Sequence, residues 1–234
     1  MSLDLSSFEN DLRAIVIGAS GGIGGAMVKA LEAHPRVAEV ISLSRPEIGI
    51  TDEKSIARAA ESLSGKFDII LLATGFLHNS TTGPEKSLRD ISMDNFEQVF
   101  RVNTHGPALV AKHFLPLLRR DGKSVFAALS ARVGSISDNR IGGWYAYRAS
   151  KAALNMLLRT AAIETGRRNK QAVIIGLHPG TVDTKLSEPF QSNVPDGKLF
   201  TAEYSAEKLL SVVNQVTSKE TGLVFAWDGK QIPF

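Results

Sequence analysis

A tyrosine and a lysine lie four residues apart in the segment 144–154, which is rich in helix-forming residues. This spacing places Tyr147 and Lys151 on the same face of a helix, one turn apart. A neighbouring cation stabilises a phenolate and lowers the phenol pKa from its ordinary value of about 10. The pair therefore predicts acid–base chemistry on a carbonyl or an alcohol, with Tyr147 moving the proton. Tyr145 has an alanine at the next turn, which favours Tyr147, although ordinary amphipathic helices also carry this spacing.

A glycine-rich turn, Gly18-Ala19-Ser20-Gly21-Gly22-Ile23-Gly24, follows an apolar run and precedes a helix-compatible segment, 26–33. Glycines let a backbone turn tightly and approach a pyrophosphate, and the free N–H groups of the following helix bind it. The turn therefore predicts a dinucleotide site; the alternative is a simple turn that packs a helix on a strand. The candidate contacts are Gly18, Ser20, Gly22, Ile23 and Gly24.

The end of the second apolar run, Ser42-Leu43-Ser44-Arg45, indicates which dinucleotide binds. It lacks the acidic residue that accepts hydrogen bonds from an adenosine ribose, and Arg45 offers a guanidinium to a 2′-phosphate instead. We therefore expect NADP(H) to be preferred over NAD(H). The alternative is that Arg45 is an ordinary solvated side chain.

Apolar runs at 13–17, 37–43, 68–73, 124–129 and 172–177 alternate with helix-compatible stretches. Because the central runs are continuously apolar, we expect a parallel sheet covered by helices on both faces. The predicted fold is α/β, a Rossmann-type doubly wound sheet in one domain over residues 1–234. Ligands bind beyond the carboxyl ends of such strands. The irregular segments 76–90 and 185–202 are predicted to be loops near the site, the second covering the substrate.

Composition excludes several classes of function. The 234 residues carry a net charge of +3 without a long basic run, so nucleic acid is not an expected partner. The absence of cysteine excludes disulfides and thiolate chemistry. Strand-sized apolar runs predict no membrane span and a cytoplasmic protein. No metal is predicted, because the histidines lack ligand-type spacing with acidic partners; they include His78, His105, His113 and His178.

Several motifs together resemble the short-chain dehydrogenase/reductase family across nearly the whole chain. The motifs are the glycine turn, Ala73-Thr74-Gly75, Asn103, Tyr147 to Lys151, and Pro179-Gly180-Thr181-Val182-Asp183-Thr184. The segments 134–139, 142–155 and 225–229 are more narrowly similar to the branch of the C-factor signalling proteins and their carbonyl-reductase relatives.

The resemblance implies a role for each matching position. Asn103 would hold a water in a proton relay, and Lys151 would hold the nicotinamide ribose. The adenosine side would be met by Ala73, Thr74 and Gly75, and the nicotinamide carboxamide by Pro179, Gly180, Val182 and Thr184. It also implies a homodimer or homotetramer, formed through the helices that carry Asn103 and Tyr147.

The chain departs from the family pattern at three places. Ala73-Thr74-Gly75 stands where the family usually has asparagine-alanine-glycine, so the hydrogen bonds of that asparagine are absent. The carbonyl-polarising serine position, three residues before Gly134, holds Ala131. We expect the adjacent Ser130 to supply the hydroxyl, with Ser135 as the alternative. Gly49 occupies a position where the family commonly has an aspartate, and Asp52 is predicted to begin a helix instead.

The predicted function is that of an NADPH-dependent oxidoreductase that reduces a small or medium ketone, aldehyde or quinone to an alcohol. The alternative is an NADP-binding signalling protein of the C-factor type in which catalysis is weak or incidental. A 3-oxoacyl-thioester reductase is a further alternative within the enzyme class.

Overall fold

Five apolar runs form the central strands of the protein. A computed structural model describes residues 3–234, except the side chain of Asn193, so the first two residues of the predicted domain lie outside it. The strands are β1 (Leu12–Ile17), β2 (Val37–Leu43), β3 (Ile69–Leu72), β4 (Ser124–Leu129) and β5 (Ala172–His178). Their bounds agree with the predicted runs to within one residue at every end.

The strands form a seven-stranded sheet with the order β2-β1-β3-β4-β5-β8-β9, in which β8 is Val224–Ala226 and β9 is Gln231–Ile232. All neighbours are parallel except β8 and β9. The chain leaves β1 toward β2 and then returns to place β3 on the other side of β1. Ligands bind at such reversals of strand order, beyond the carboxyl ends of the strands. The doubly wound α/β prediction is confirmed.

Helices cover both faces of the sheet. They are α1 (Gly22–Glu32), α2 (Glu53–Glu61), α3 (Met93–Phe100), α4 (Gly106–Phe114), α5 (Tyr145–Gly166) and α6 (Ala202–Gln215). Residues of α1 and α6 share one buried apolar cluster with alternate residues of β1, β3, β4 and β5. Residues of α2, α4 and α5 share a second cluster with the strand residues that face the other way. Burial on both faces explains why these strands are continuously apolar.

Local signals fix where the helices begin. The Asp52 carboxylate accepts a hydrogen bond from Lys54 N and caps α2, as predicted for this residue. Helix α1 begins at Gly22, four residues before the predicted start, because the glycine turn runs directly into it. The predicted loop 185–202 contains a 3₁₀ turn (Glu188–Asn193) and β7 (Leu199–Phe200), which pairs with β6 (Thr181–Val182), and α6 begins at its last residue. Each helix within residues 3–234 is too short or too polar to cross a bilayer.

Candidate active site

The glycine turn lies at the carboxyl end of β1 and has little room for side chains. Gly18 has a φ of 90°, and an added Cβ would lie 2.8 Å from the carbonyl oxygen of Ala73 at the end of β3. A Cβ at Gly24 would lie 2.2 Å from the oxygen of Gly18. Backbones therefore approach each other closely here, which only glycine permits.

The amino end of α1 is free to bind an anion. Gly21 occupies the N-cap and has no side chain to satisfy the first N–H groups, and the first turn contains no acidic residue. Free N–H groups and the helix dipole favour a phosphate at such a position. Ser20 and Gly22 lie exposed in the same turn, whereas Ile23 is half-buried against the core.

A cleft of about 420 Å³ opens between the ends of β1, β2 and β3. Its lining includes Gly18, Ser20, Gly21, Ser44, Arg45, Ala73, Thr74 and Gly75. Arg45 is exposed at its edge and forms no ion pair within the described part of the chain. The buried Thr74 Oγ1 has no hydrogen-bond partner among those residues. These groups fit the adenosine and phosphate half of a dinucleotide.

The turn after β5 closes the other end of this region. Gly180 has a φ of 77°, and an added Cβ would lie 2.7 Å from the Phe200 ring. The carbonyl of Pro179 accepts a hydrogen bond from Ser205 Oγ at 2.9 Å. A Cβ at Gly22 would lie 2.8 Å from Thr184 Cγ2, so the turn and the predicted nicotinamide-side residues are neighbours. Val182, in β6, is buried.

Tyr147 and Lys151 lie in the first two turns of α5 and are buried, with exposures of 9% and 2%. Lys151 Nζ lies 5.8 Å from the centre of the Tyr147 ring and donates to the Leu129 carbonyl at 2.8 Å. Gly134 packs against the backbone of Lys151, where a Cβ would lie 2.8 Å from Lys151 Cβ. The structure thus brings the two predicted residues together.

Burial determines the protonation of this pair. It raises the pKa of Tyr147 to about 12 and lowers the pKa of Lys151 to about 8, since an apolar environment disfavours either charged form. The expectation that Lys151 lowers the phenol pKa therefore differs from the structure, in which desolvation dominates. At neutral pH Tyr147 is protonated and can donate its proton.

Asn103 lies in a π-helical turn, Arg101–His105, between α3 and α4, and is fully buried. Its Oδ1 accepts from Phe76 N at 2.8 Å, and its Nδ2 donates to Phe76 O at 2.7 Å and to Ser150 Oγ at 3.3 Å. Such π turns frequently occur at functional sites. Asn103 therefore ties the segment after β3 to α5; the water of the implied relay stays a prediction.

The hydroxyl groups of Ser130 and Ser135 each have a hydrogen-bond partner away from Tyr147, and their proposed role stays a prediction. The Ser130 hydroxyl donates to Asn155 Oδ1 at 2.6 Å, on the inner face of α5. Ser135 Oγ accepts from Asp138 N at 3.1 Å, within its own loop. Ala131, by contrast, shares a buried apolar cluster with Leu77 and Tyr147. The position beside the tyrosine therefore holds a methyl group.

Sequence reasoning missed the wall around Tyr147. Leu77, Val133, Trp144 and Phe190 come from separate segments and pack beside the phenol. The Trp144 ring centre lies 6.0 Å from that of Tyr147 and 5.1 Å from that of Phe190. For Leu77 and Phe190, the available signal was an apolar or aromatic residue within a predicted loop.

The contacts of the histidines differ from one residue to the next. His113 contacts Glu53, and His78 packs edge-on against Phe190 at 5.6 Å. Burial lowers the pKa of His178 to about 4, so this residue at the end of β5 is neutral at physiological pH. No group of three metal-ligating side chains converges within residues 3–234.

The reversal of strand order, the glycine turn and the Tyr147–Lys151 pair are the features expected of a dinucleotide-binding α/β oxidoreductase. A family model described as enoyl-(acyl carrier protein) reductase matches residues 26–227. The chain belongs to the short-chain dehydrogenase/reductase family of oxidoreductases, as the resemblance predicted.

Relatives of known name support this assignment. The chain is 31% identical to the C-signal protein of Myxococcus xanthus, over 76% of this chain and 99% of the relative. It is 27% identical to 1-hydroxy-2-glutathionyl-2-methyl-3-butene dehydrogenase of Rhodococcus sp. strain AD45, over 92% of this chain and 96% of the relative. The fold resembles that of an NADPH-bound carbonyl reductase from chicken fatty liver, with a TM-score of 0.84, 24% identity, and coverage of 97% and 96% of the two chains.

Proposed function

We propose that this protein is an NADPH-dependent reductase that converts a ketone, aldehyde or quinone into an alcohol. The observation that carries the proposal is Tyr147, a buried phenol beside Lys151, whose Nζ would lie 3.9 Å from a Cβ added at Gly75 in the lining of the dinucleotide cleft. Burial raises the pKa of Tyr147 to about 12, so at neutral pH the phenol holds a proton that it can donate to a carbonyl oxygen.

The cleft supports NADPH as the cofactor. Gly18 and Gly24 keep the backbone open to the pyrophosphate, and the uncapped start of α1 offers its N–H groups. Arg45 would pair with the 2′-phosphate, since its guanidinium is exposed at the edge of the cleft. Thr74 and Gly75 line the same cleft and would lie on the adenosine side. When bound, the reduced nicotinamide supplies a hydride to the carbonyl carbon.

The residues around the phenol provide the proton and the orientation. Tyr147 would donate its proton to the carbonyl oxygen as the oxygen becomes an alkoxide. Lys151 would favour this transfer electrostatically and hold the nicotinamide ribose. Val182 and Thr184 would position the nicotinamide from the turn after β5. No hydroxyl comes from Ala131, so Tyr147 would be the principal donor to the oxygen.

The site wall supports an apolar substrate. Leu77, Val133, Trp144 and Phe190 present aliphatic and aromatic surface beside Tyr147. Phe190 belongs to the predicted substrate loop, 185–202, and packs on Trp144, as a residue that closes over a substrate would. We therefore propose an uncharged, largely apolar carbonyl compound as the substrate.

We also propose a homo-oligomer. Met156 and Ile163 of α5 are 66% and 53% exposed, and an open cavity of about 520 Å³ lies between α4 and α5. Exposed apolar surface of this kind marks interfaces. Analytical ultracentrifugation is expected to show a dimer or tetramer; a monomer at micromolar concentration would contradict this.

A signalling role is the second candidate function, favoured by the 31% identity to the C-signal protein and by Ala131. In that case the chain would bind NADPH and turn it over slowly or not at all.

The test is a titration of the purified protein with NADPH and NADH, followed by nicotinamide fluorescence. A panel of apolar ketones, aldehydes and quinones is then added while NADPH absorbance is recorded. Tighter binding of NADPH together with its consumption supports the reductase. Binding without turnover supports the signalling role, tighter binding of NADH contradicts the cofactor preference, and no binding contradicts both functions.

A further inference from the structure

Glu85 is a buried carboxylate between β3 and α3, with an exposure of 3%. Its Oε2 accepts a hydrogen bond from Ala146 N at 3.1 Å, and its Oε1 accepts one from Asn95 Nδ2. Its main-chain oxygen accepts a third from Trp144 N at 2.6 Å. A buried carboxylate is costly unless hydrogen bonds satisfy it, and two of these three bonds end on the start of α5.

The start of α5 has an unusual backbone. Gly142, Gly143 and Trp144 have φ values of 71°, 65° and 55°, so three consecutive residues are left-handed. For tryptophan this conformation is strained. Trp144 is the N-cap residue, but its side chain does not cap the helix.

An unsatisfied amino end of a helix needs acceptors from elsewhere. Glu85 supplies two of them, one from its side chain and one from its main chain. These bonds flank Tyr145 and end immediately before Tyr147. They also hold the turn that places the Trp144 ring between Tyr147 and Phe190.

From this geometry we propose that Glu85 is a positioning residue for the proposed reductase. It holds the amino end of α5 and thereby positions the Tyr147 phenol and the Trp144 ring. Glu85 itself does not line the cofactor cleft. The inference rests on the proposed function for its kinetic part and on the structure alone for the placement of Trp144.

The kinetic test compares Glu85→Ala with Glu85→Gln. Misplacement of the phenol is expected to lower kcat of Glu85→Ala about 10–100-fold, with the Kd for NADPH changed by less than about twofold. Glu85→Gln keeps a side-chain oxygen that can accept from Ala146 N. Asn95 Oδ1 has no hydrogen-bond partner within residues 3–234, so a rotation of the Asn95 amide by half a turn would let this oxygen accept from the new Nε2. It is therefore expected to retain kcat within about threefold.

Asp68→Ala is the matched control. Asp68 is also a buried carboxylate, 4% exposed, that accepts from a main-chain N–H (Arg13, 2.8 Å) and from a side chain (Arg119, 2.7 Å). It precedes β3 and so lies at the amino ends of the parallel strands, whereas Tyr147 lies near their carboxyl ends. Its loss is expected to lower stability but to change kcat by less than about twofold. An equal loss of kcat in both variants would indicate a general structural effect and overturn the proposal.

A fluorescence test does not depend on turnover. The chain has two tryptophans, so Trp227→Phe leaves Trp144 as the only one. In this background Glu85→Ala is expected to shift the emission to longer wavelength, because the ring leaves its apolar contacts, whereas Glu85→Gln and Asp68→Ala are not.

These outcomes separate the two proposals. If the parent protein turns over no carbonyl, the proposed reductase fails, and the emission shift still decides the role of Glu85. Unchanged kcat or unshifted emission in Glu85→Ala overturns that role. If Glu85→Ala does not fold, Asn95→Ala takes its place, because it removes one hydrogen-bond partner of the carboxylate. It is expected to show a smaller loss of kcat and a smaller emission shift in the same direction. If neither change is seen, the proposal is overturned.

Discussion

The two halves of the site are built in different ways. The cofactor half consists mainly of backbone: glycines at Gly18, Gly22 and Gly24, and the free N–H groups of α1. The substrate half consists of side chains from separate segments, such as Trp144 and Phe190. The first half depends on the absence of side chains and the second on their placement. A local motif can therefore specify the cofactor, whereas only tertiary structure specifies the substrate.

Tyr147→Phe tests the substrate half most strongly. We expect kcat to fall about 1,000-fold, because the proton donor is removed, while the Kd for NADPH changes little. Steady-state kinetics and a fluorescence titration measure the two quantities. A fall of less than about tenfold would show that another group supplies the proton.

Gly24→Ala tests the cofactor half. The new Cβ would lie 2.2 Å from Gly18 O, so the turn must open. We expect the Kd for NADPH to rise about 100-fold, because the phosphate cradle is displaced. Gly166→Ala is the control, since nothing lies within 4 Å of its added Cβ. Equal affinity in both variants would contradict a cradle built from backbone.

Lys151→Met separates activity from stability. Burial disfavours the charged amine and lowers the pKa of Lys151 from its ordinary value of 10.5 to about 8 in the folded protein. The unfolded chain therefore binds more protons between these values, so the cost of burial is fully present below pH 8 and disappears as the pH rises to 10.5. We expect the variant to gain about 3 kcal/mol of unfolding free energy at pH 7 and to lose activity.

Denaturant unfolding at pH 7 and at pH 10 measures this effect. The gain is expected to be smaller at pH 10, where the parent lysine is largely neutral in the folded and partly neutral in the unfolded state. A variant that is less stable than the parent at pH 7 would show that the hydrogen bond to Leu129 outweighs desolvation.

Ala131→Ser tests the substrate half again and is expected to have the smallest effect on kcat. A hydroxyl at this position faces the Tyr147 cluster, so a second donor to the carbonyl oxygen is expected to raise kcat about tenfold, or about 1.4 kcal/mol. Ser130→Ala is the counterpart: its hydroxyl donates to Asn155, and its loss is expected to lower kcat less than about tenfold. If Ser130→Ala lowered kcat more than about tenfold and Ala131→Ser left it unchanged, Ser130 would be the second donor to the carbonyl oxygen.

The sequence predicted those parts of the site whose signals are local. The continuous apolar runs predict the parallel sheet because both faces are buried, and the four-residue spacing places Tyr147 beside Lys151. The sign of the phenol's pKa change was not predictable, because burial of Tyr147 depends on segments distant in the chain.

The roles of Ser130 and Glu85 also depend on tertiary structure, so the sequence alone does not predict them. A one-residue change at the end of β4 decides whether Ser130 or Ala131 faces Tyr147, and composition does not specify that register. Glu85 bonds to residues 10 and 61 positions away, so no motif marks it.

The π-helical turn at Arg101–His105 makes the orientation of Asn103 depend on the number of residues between α3 and α4. A π turn corresponds to one residue more than an α-helical turn holds, and each α-helical residue rotates the chain by about 100°. Deletion of a single residue there would restore a regular helix from α3 into α4 and would turn Asn103 away from Phe76. Relatives aligned with a gap in this turn would therefore be expected to hold the segment after β3 by other means.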